Sequence, residues 1–191
     1  MKKNLKVTLN APVTVGFVCL CFAAMLLGKL VGGKVDRLLF MTYRASLKSP
    51  LTYLRLFTHV LGHSGWEHFI SNASYLLLLG PMLEEKHNSA RLIEVILATA
   101  LITGLINAVF FPSVALCGAS GVVFAFILLT SFTGFREGEI PVTFLLVAVI
   151  FIGREIYEGV AVRDNVSNLS HIIGGIVGSV LGYALNRKAA L

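Results

Sequence analysis

Six apolar blocks, at about 12–31, 67–83, 91–111, 119–133, 140–157 and 169–186, constrain this chain more than any other feature. A helix needs about 20 apolar residues to cross the hydrocarbon core of a bilayer. The blocks therefore predict an all-α polytopic membrane protein with six transmembrane helices, forming one domain over residues 1–191. Six such spans consume about 120 positions and leave no room for a separate soluble domain. Composition agrees, with 56% hydrophobic and 14% charged residues and a mean hydropathy of +0.82. A soluble domain carries about 25% charged residues.

The first block follows Lys2, Lys3 and Lys6, as a signal peptide would, but its length makes it a retained first span. The stretch from 32 to 66 is too long for a tight turn and reads as a folded, partly interfacial loop. An even number of spans puts both termini on one side, and the basic start with Arg187 and Lys188 assigns that side to the cytoplasm. Basic residues divide eight against eight between the two sides, and five of the outer eight fall in the long loop. The net charge of +6 is scattered, with no cluster interleaved with aromatics. That argues for interfacial anchoring and against nucleic-acid binding. Cys19, Cys21 and Cys117 sit in apolar surroundings and form no disulfide or zinc pattern.

Polar groups inside spans are expensive and mark functional candidates. The second span opens with His68 and Asn72, four residues apart on one helix face. The fourth opens with Gly118, Ala119, Ser120 and Gly121, and the sixth carries Ser170 and His171. Counted from the cytoplasmic ends of these three parallel spans at about 1.5 Å per residue, His68, Asn72, Ser120 and His171 lie at similar depth, roughly 16 to 22 Å. The fourth span is too short to cross the core, so its start is buried below the membrane surface.

A hydroxyl at a helix N-terminus beside an imidazole at equal depth is the equipment of acyl transfer. His171 takes the Ser120 proton as general base, and the free N–H groups at the helix start face the developing oxyanion. His68 and Asn72 offer further donors. No Asp or Glu lies near His171 in the sequence or at its depth in the other even-numbered spans apart from Glu67, which points off the His68 face, so a dyad is expected in place of a triad. Gly118 and Gly121 let substrate backbone approach Ser120 closely.

These motifs resemble the rhomboid intramembrane serine proteases of the bacterial six-helix type. Gly118-Ala119-Ser120-Gly121 is similar to that family's Gly-x-Ser-Gly segment, with His68-x-x-x-Asn72 and Ser170-His171-Ile172-Ile173-Gly174 as its other two signatures. The likeness runs from about Leu54 to Gly182 and takes in Glu84, His59 and His63. It implies a six-helix core with a short, buried-start fourth helix, Ser120 as nucleophile and His171 as base. His68, Asn72 and the Ser120 backbone amide then form the oxyanion site. It also implies transmembrane protein substrates and residence in the bilayer, in a bacterial inner membrane, without a cofactor. Two positions depart from the pattern. Leu54-Arg55 stands where many bacterial members have Trp-Arg, and Phe124 stands where a Tyr often packs on the catalytic imidazole.

Other readings compete with these. Gly118, Gly121 and the Gly174, Gly178, Gly182 series alone would mean helix packing, but Ser120 and His171 accompany them at matched depth. His59 and His63 have metal-ligand spacing yet lack a third ligand, so hydrogen bonding within the loop is expected and no metal. Cys117 precedes the helix start, and no base has a better claim on it than on Ser120; Glu84 by itself reads as a solvated interface charge, whereas the resemblance implies a structural hydrogen-bonding role for it. The rival functions are a small-solute transporter, which the lack of an internal repeat disfavours, and an inactive rhomboid-like helix-binding protein, which the intact Ser120 and His171 disfavour. The sequence leaves the natural substrate and the oligomeric state open. The small stripe on the sixth span is expected to dock on Gly121 and Ala125 of the fourth.

Overall fold

The computed structural model describes residues 5–131, 139–161 and 165–189. It is helical: α1 (Pro12–Val31), α2 (Lys34–Leu39), α3 (Pro50–Thr58), a 3-10 turn (His59–Leu61), α4 (Trp66–His87), α5 (Ser89–Phe110), α6 (Ser120–Ser131), α7 (Val142–Ala161) and α8 (Asn165–Ala189). The first block becomes α1 with the expected bounds. The loop from 32 to 66 is folded, holding α2, α3 and the 3-10 turn. Residues 132 and 133, assigned above to the fourth span, and Arg136 and Arg163 lie outside the described residues.

Helix α6 is apolar around its whole circumference, the pattern of a helix with protein or lipid on every side. It is accordingly packed against α4, α5, α7 and α8. Gly121, Val122, Val123, Ala125, Phe126, Leu128 and Leu129 are all buried. Leu78, Leu97, Leu105, Val149 and Val180 point outward. Apolar residues on both the inside and the outside are the pattern of a bundle whose solvent is lipid.

Among the described residues, α1 and α5 are the helices long and apolar enough to cross a membrane by length and composition. Helix α4 is as long as α5 but carries Glu67, His68, Asn72, Glu84, Glu85 and Lys86, which lower its hydropathy. It also runs past the expected end at 83 because Glu84 is satisfied by a distant partner. Its buried carboxylate accepts the N–H groups of Val13 and Thr14 at 3.0 Å, the Thr14 hydroxyl at 2.9 Å and the Ser89 hydroxyl at 2.7 Å. The unpaired donors at the start of α1 are thereby capped by a charge that also complements the helix dipole. Glu84 has the structural role expected of it.

The long loop is tied to the segment preceding α6. Thr42 and Leu116 exchange both backbone hydrogen bonds at 2.9 Å. The buried Asn107 amide of α5 donates to the carbonyls of Thr42 and Val114, each at 3.1 Å.

Candidate active site

Ser120 is the first residue of α6 and is partly exposed. The chain enters the helix through Gly118, whose φ of +128° is a conformation that L side chains rarely adopt. A Cβ there would also stand 2.7 Å from Cε1 and Nε2 of His68 and 3.8 Å from Ser120 Oγ. Glycine is therefore required twice over, and its absent side chain is what lets the His68 ring lie beside the start of α6. The Gly118 N–H donates to the His59 carbonyl at 3.0 Å, which anchors this entry to the long loop.

The His171 ring stacks on Phe124, with centroids 4.4 Å apart and planes 4° apart. Phe124 is four residues after Ser120 and so on the same face of α6. Stacking thus persists with Phe in place of Tyr. Phe124 in turn meets Phe151 of α7 edge-on, with centroids 5.2 Å apart.

The backbones of α6 and α8 approach directly. A Cβ on Gly174 would collide with the backbone of Gly121, and one on Gly178 with the backbone of Ala125. The Ser170 carbonyl lies 3.5 Å from where a Gly121 side chain would begin. This is the docking expected from the sequence: two small residues on each helix let the axes close, which sets His171 at the level of the first turn of α6. An apolar cavity of about 160 Å³ opens beside it between α6, α7 and α8, lined by Phe124, Phe144, Phe151, His171, Ile172 and Ile176 among others.

Asn72 is buried, and its amide nitrogen is 3.1 Å from His63 Nε2. His63 Nδ1 is 3.1 Å from the Leu61 carbonyl, to which it donates. That fixes the tautomer: Nε2 accepts, so the Asn72 NH2 group faces it and keeps its second hydrogen for another partner. His68 Nδ1 is 3.1 Å from Ser64 Oγ. Burial, then the neighbouring His68, lowers the His63 pKa to about 4. Ser64 and the link from His63 to Asn72 were missed in the sequence reading. The signals were present as four-residue spacing from Ser64 to His68 and a buried-site histidine ahead of α4.

His59 is fully buried; its Nδ1 donates to the Arg55 carbonyl at 3.1 Å, and its Nε2 is 3.3 Å from Thr103 Oγ1. Both loop histidines hold protein partners at both ring nitrogens. Arg55 is buried and bonds the Leu38 carbonyl, whereas Leu54 faces outward. Arg55 therefore ties α3 to α2 through the Leu38 carbonyl. Cys117 is half-buried, and burial, then the negative charge of Asp36, raises its thiol pKa to about 11. A thiol so poorly ionised is a weak competitor for Ser120.

The sequence profile of the Rhomboid domain matches residues 50–188. The chain belongs to the rhomboid family and, with it, among integral membrane proteins. It is similar to Rhomboid-related protein 2 of Mus musculus, at 33% identity over 160 residues covering 73% of this chain and 53% of that protein. It is also similar to Rhomboid-related protein 1 of Caenorhabditis elegans, at 28% identity over 69% of this chain and 39% of that protein. Similarity to Rhomboid protease GlpG of Haemophilus influenzae is 26% over 90% of this chain and 89% of that protein. The chain thus spans about half the length of the mouse relative and less of the worm one.

Proposed function

We propose that this protein is an intramembrane serine endopeptidase that cuts transmembrane proteins through a Ser120–His171 dyad. The observation that carries the reading is the placement of the His171 ring flat on Phe124, one turn after Ser120. The Gly174–Gly121 and Gly178–Ala125 contacts hold that register. Relatives named Rhomboid protease GlpG support the same activity.

In the reaction, His171 removes the Ser120 proton as Oγ attacks the scissile carbonyl, giving a tetrahedral intermediate. Its oxyanion is received by the Ser120 N–H, which has no partner within the helix, and by His68 and Asn72. With the Ser64 hydroxyl donating to Nδ1, His68 carries its hydrogen on Nε2, the atom beside Gly118. The imidazolium of His171 then protonates the leaving amine. The acyl-enzyme is hydrolysed by water activated at the same imidazole. No metal or organic cofactor takes part in this scheme, and the ring nitrogens of His59 and His63 are committed to protein partners.

The domain is a single unit of six spans over residues 1–191, with both termini cytoplasmic in a bacterial inner membrane. The test is cleavage of a reporter transmembrane substrate in proteoliposomes. Ser120→Ala and His171→Ala should each abolish it while the protein still inserts and folds. Normal turnover by Ser120→Ala would overturn the dyad, and substrate retained uncut by the wild type would favour the helix-binding alternative.

A further inference from the structure

The long loop carries Lys34, Arg37, Arg44, Lys48 and Arg55 against the single acid Asp36, a net charge of +4 between residues 32 and 66. Two of these cations converge on one aromatic ring. The Arg55 guanidinium carbon is 4.5 Å from the Tyr43 ring centroid and that of Arg37 is 5.3 Å from it. Neither makes an ion pair among the described residues. Arg55 is 96% buried, yet its Nη groups hold only two long bonds of 3.4 Å, to Leu38 and Thr52, and its Nε has no partner. A buried guanidinium without a counter-ion is costly. Cation–π contact with Tyr43 offsets part of that cost but neutralises no charge. Arg37, on the same ring, is exposed.

Leu38, Leu47, Tyr53, Leu54 and Phe57 of the same loop are all exposed. Apolar side chains interleaved with uncompensated cations are the composition of a segment lying in a lipid headgroup region. We propose that Arg37, Tyr43 and Arg55 form a binding site for the phosphate of an anionic phospholipid, whose acyl chains run along the exposed apolar side chains of the loop. Tyr43 fixes Arg37 toward the headgroup, and the buried Arg55 supplies a field that a zwitterionic lipid cannot satisfy.

The site connects to the segment that leads into α6. Tyr43 follows Thr42, which is paired with Leu116 through both backbone bonds. Leu116 is two residues before Gly118. Lipid bound at Tyr43 therefore steadies the turn that presents Ser120. The lipid site does not depend on the proteolytic reading, and its test reads no cleavage.

The full chain, carrying Ser120→Ala, is purified in neutral detergent and titrated with phosphatidylglycerol or phosphatidylcholine under native mass spectrometry. One phosphatidylglycerol should be retained in preference to phosphatidylcholine. Arg37→Gln, a change at an exposed position, should weaken that preference about fivefold, as expected for one basic residue at an anionic surface. Arg37→Lys should recover part of it. Hydrogen exchange at the Thr42 and Leu116 amides should slow on adding phosphatidylglycerol in the parent and not in Arg37→Gln. Equal retention of both lipids, or an Arg37→Gln protein that binds like its parent, would overturn the site. Displacement of the lipid by inorganic phosphate would assign the pair to a free anion and overturn the lipid. Unchanged exchange at Leu116 would remove the link to α6.

Discussion

Phe124 forms the floor on which His171 rests, the two rings being coplanar to within 4° at 4.4 Å. An imidazole on a helix can swing about two side-chain torsions, and the stacked ring of Phe124 removes that freedom on one side. A phenyl ring does this as well as a phenol does. Phe124→Tyr should therefore keep turnover within about twofold. Phe124→Ala should lower it roughly tenfold, the upper range for an aromatic pair. Turnover of a reporter substrate in proteoliposomes decides the matter, and an unaffected Phe124→Ala enzyme would leave the ring without a role.

Helices α6 and α8 meet backbone to backbone at Gly121 and Gly174. Even a methyl group on Gly174 collides with backbone atoms of Gly121, which cannot turn aside. Gly174→Val should cost about 10²-fold in activity, the effect of a displacement of about 1 Å at a reacting pair, and should lower thermal stability. Gly175 is the internal control. A Cβ there meets only the Leu128 side chain at 3.2 Å, so Gly175→Ala should be tolerated in both measurements.

The third prediction separates a donor from its support. Removing an oxyanion donor typically costs 10²- to 10³-fold, so Asn72→Ala should fall in that range. His63 is placed to act through the Asn72 amide, 3.1 Å from its Nε2, so His63→Ala should slow turnover less. The double variant should be no slower than Asn72→Ala alone, because the two act through one group. Fully additive losses in steady-state kinetics would show that His63 acts elsewhere.

How much of this was legible in the sequence differs by element. The α6–α8 contact was, because glycine spacing along α8 and the Gly121–Ala125 pair express a local periodicity that survives folding. The C-terminal end of α4 was not. Its last turn carries Glu84, Glu85 and Lys86, which read as the far side of a membrane boundary, and the cap that Glu84 provides lies 70 residues away on α1. The support of Asn72 by His63 was hidden for a related reason. The chain between them crosses from the loop into α4, and no single period spans that change. Arg55 stood out as a lone cation beside a missing Trp, while its aromatic partner Tyr43 had no spacing to announce it.

The fourth prediction concerns pH. Burial lowers the His59 pKa from 6.5 to about 4, against the opposing bond to the Arg55 carbonyl. Below pH 6.5 the unfolded chain takes up a proton that the folded state refuses, so stability is full above that pH and falls as the pH drops toward 4. The loss from this residue is about 3 kcal/mol. His63 adds to it in the same window. Denaturant titrations in detergent at pH 7, 5.5 and 4.5 should show this decline, and His59→Gln should flatten it by about half. Identical pH profiles for the two proteins would show that His59 is not held neutral by the fold.

The Ser120–His171 dyad is tested most sharply by the site of covalent capture. A fluorophosphonate reacts fastest with a hydroxyl activated by a neighbouring base and supported by oxyanion donors. Purified protein is treated with the probe, digested and mapped by mass spectrometry. One adduct is expected, on Ser120, lost in Ser120→Ala and strongly reduced in His171→Ala. An adduct on any other residue, or labelling of Ser120 that is indifferent to His171, would contradict the dyad.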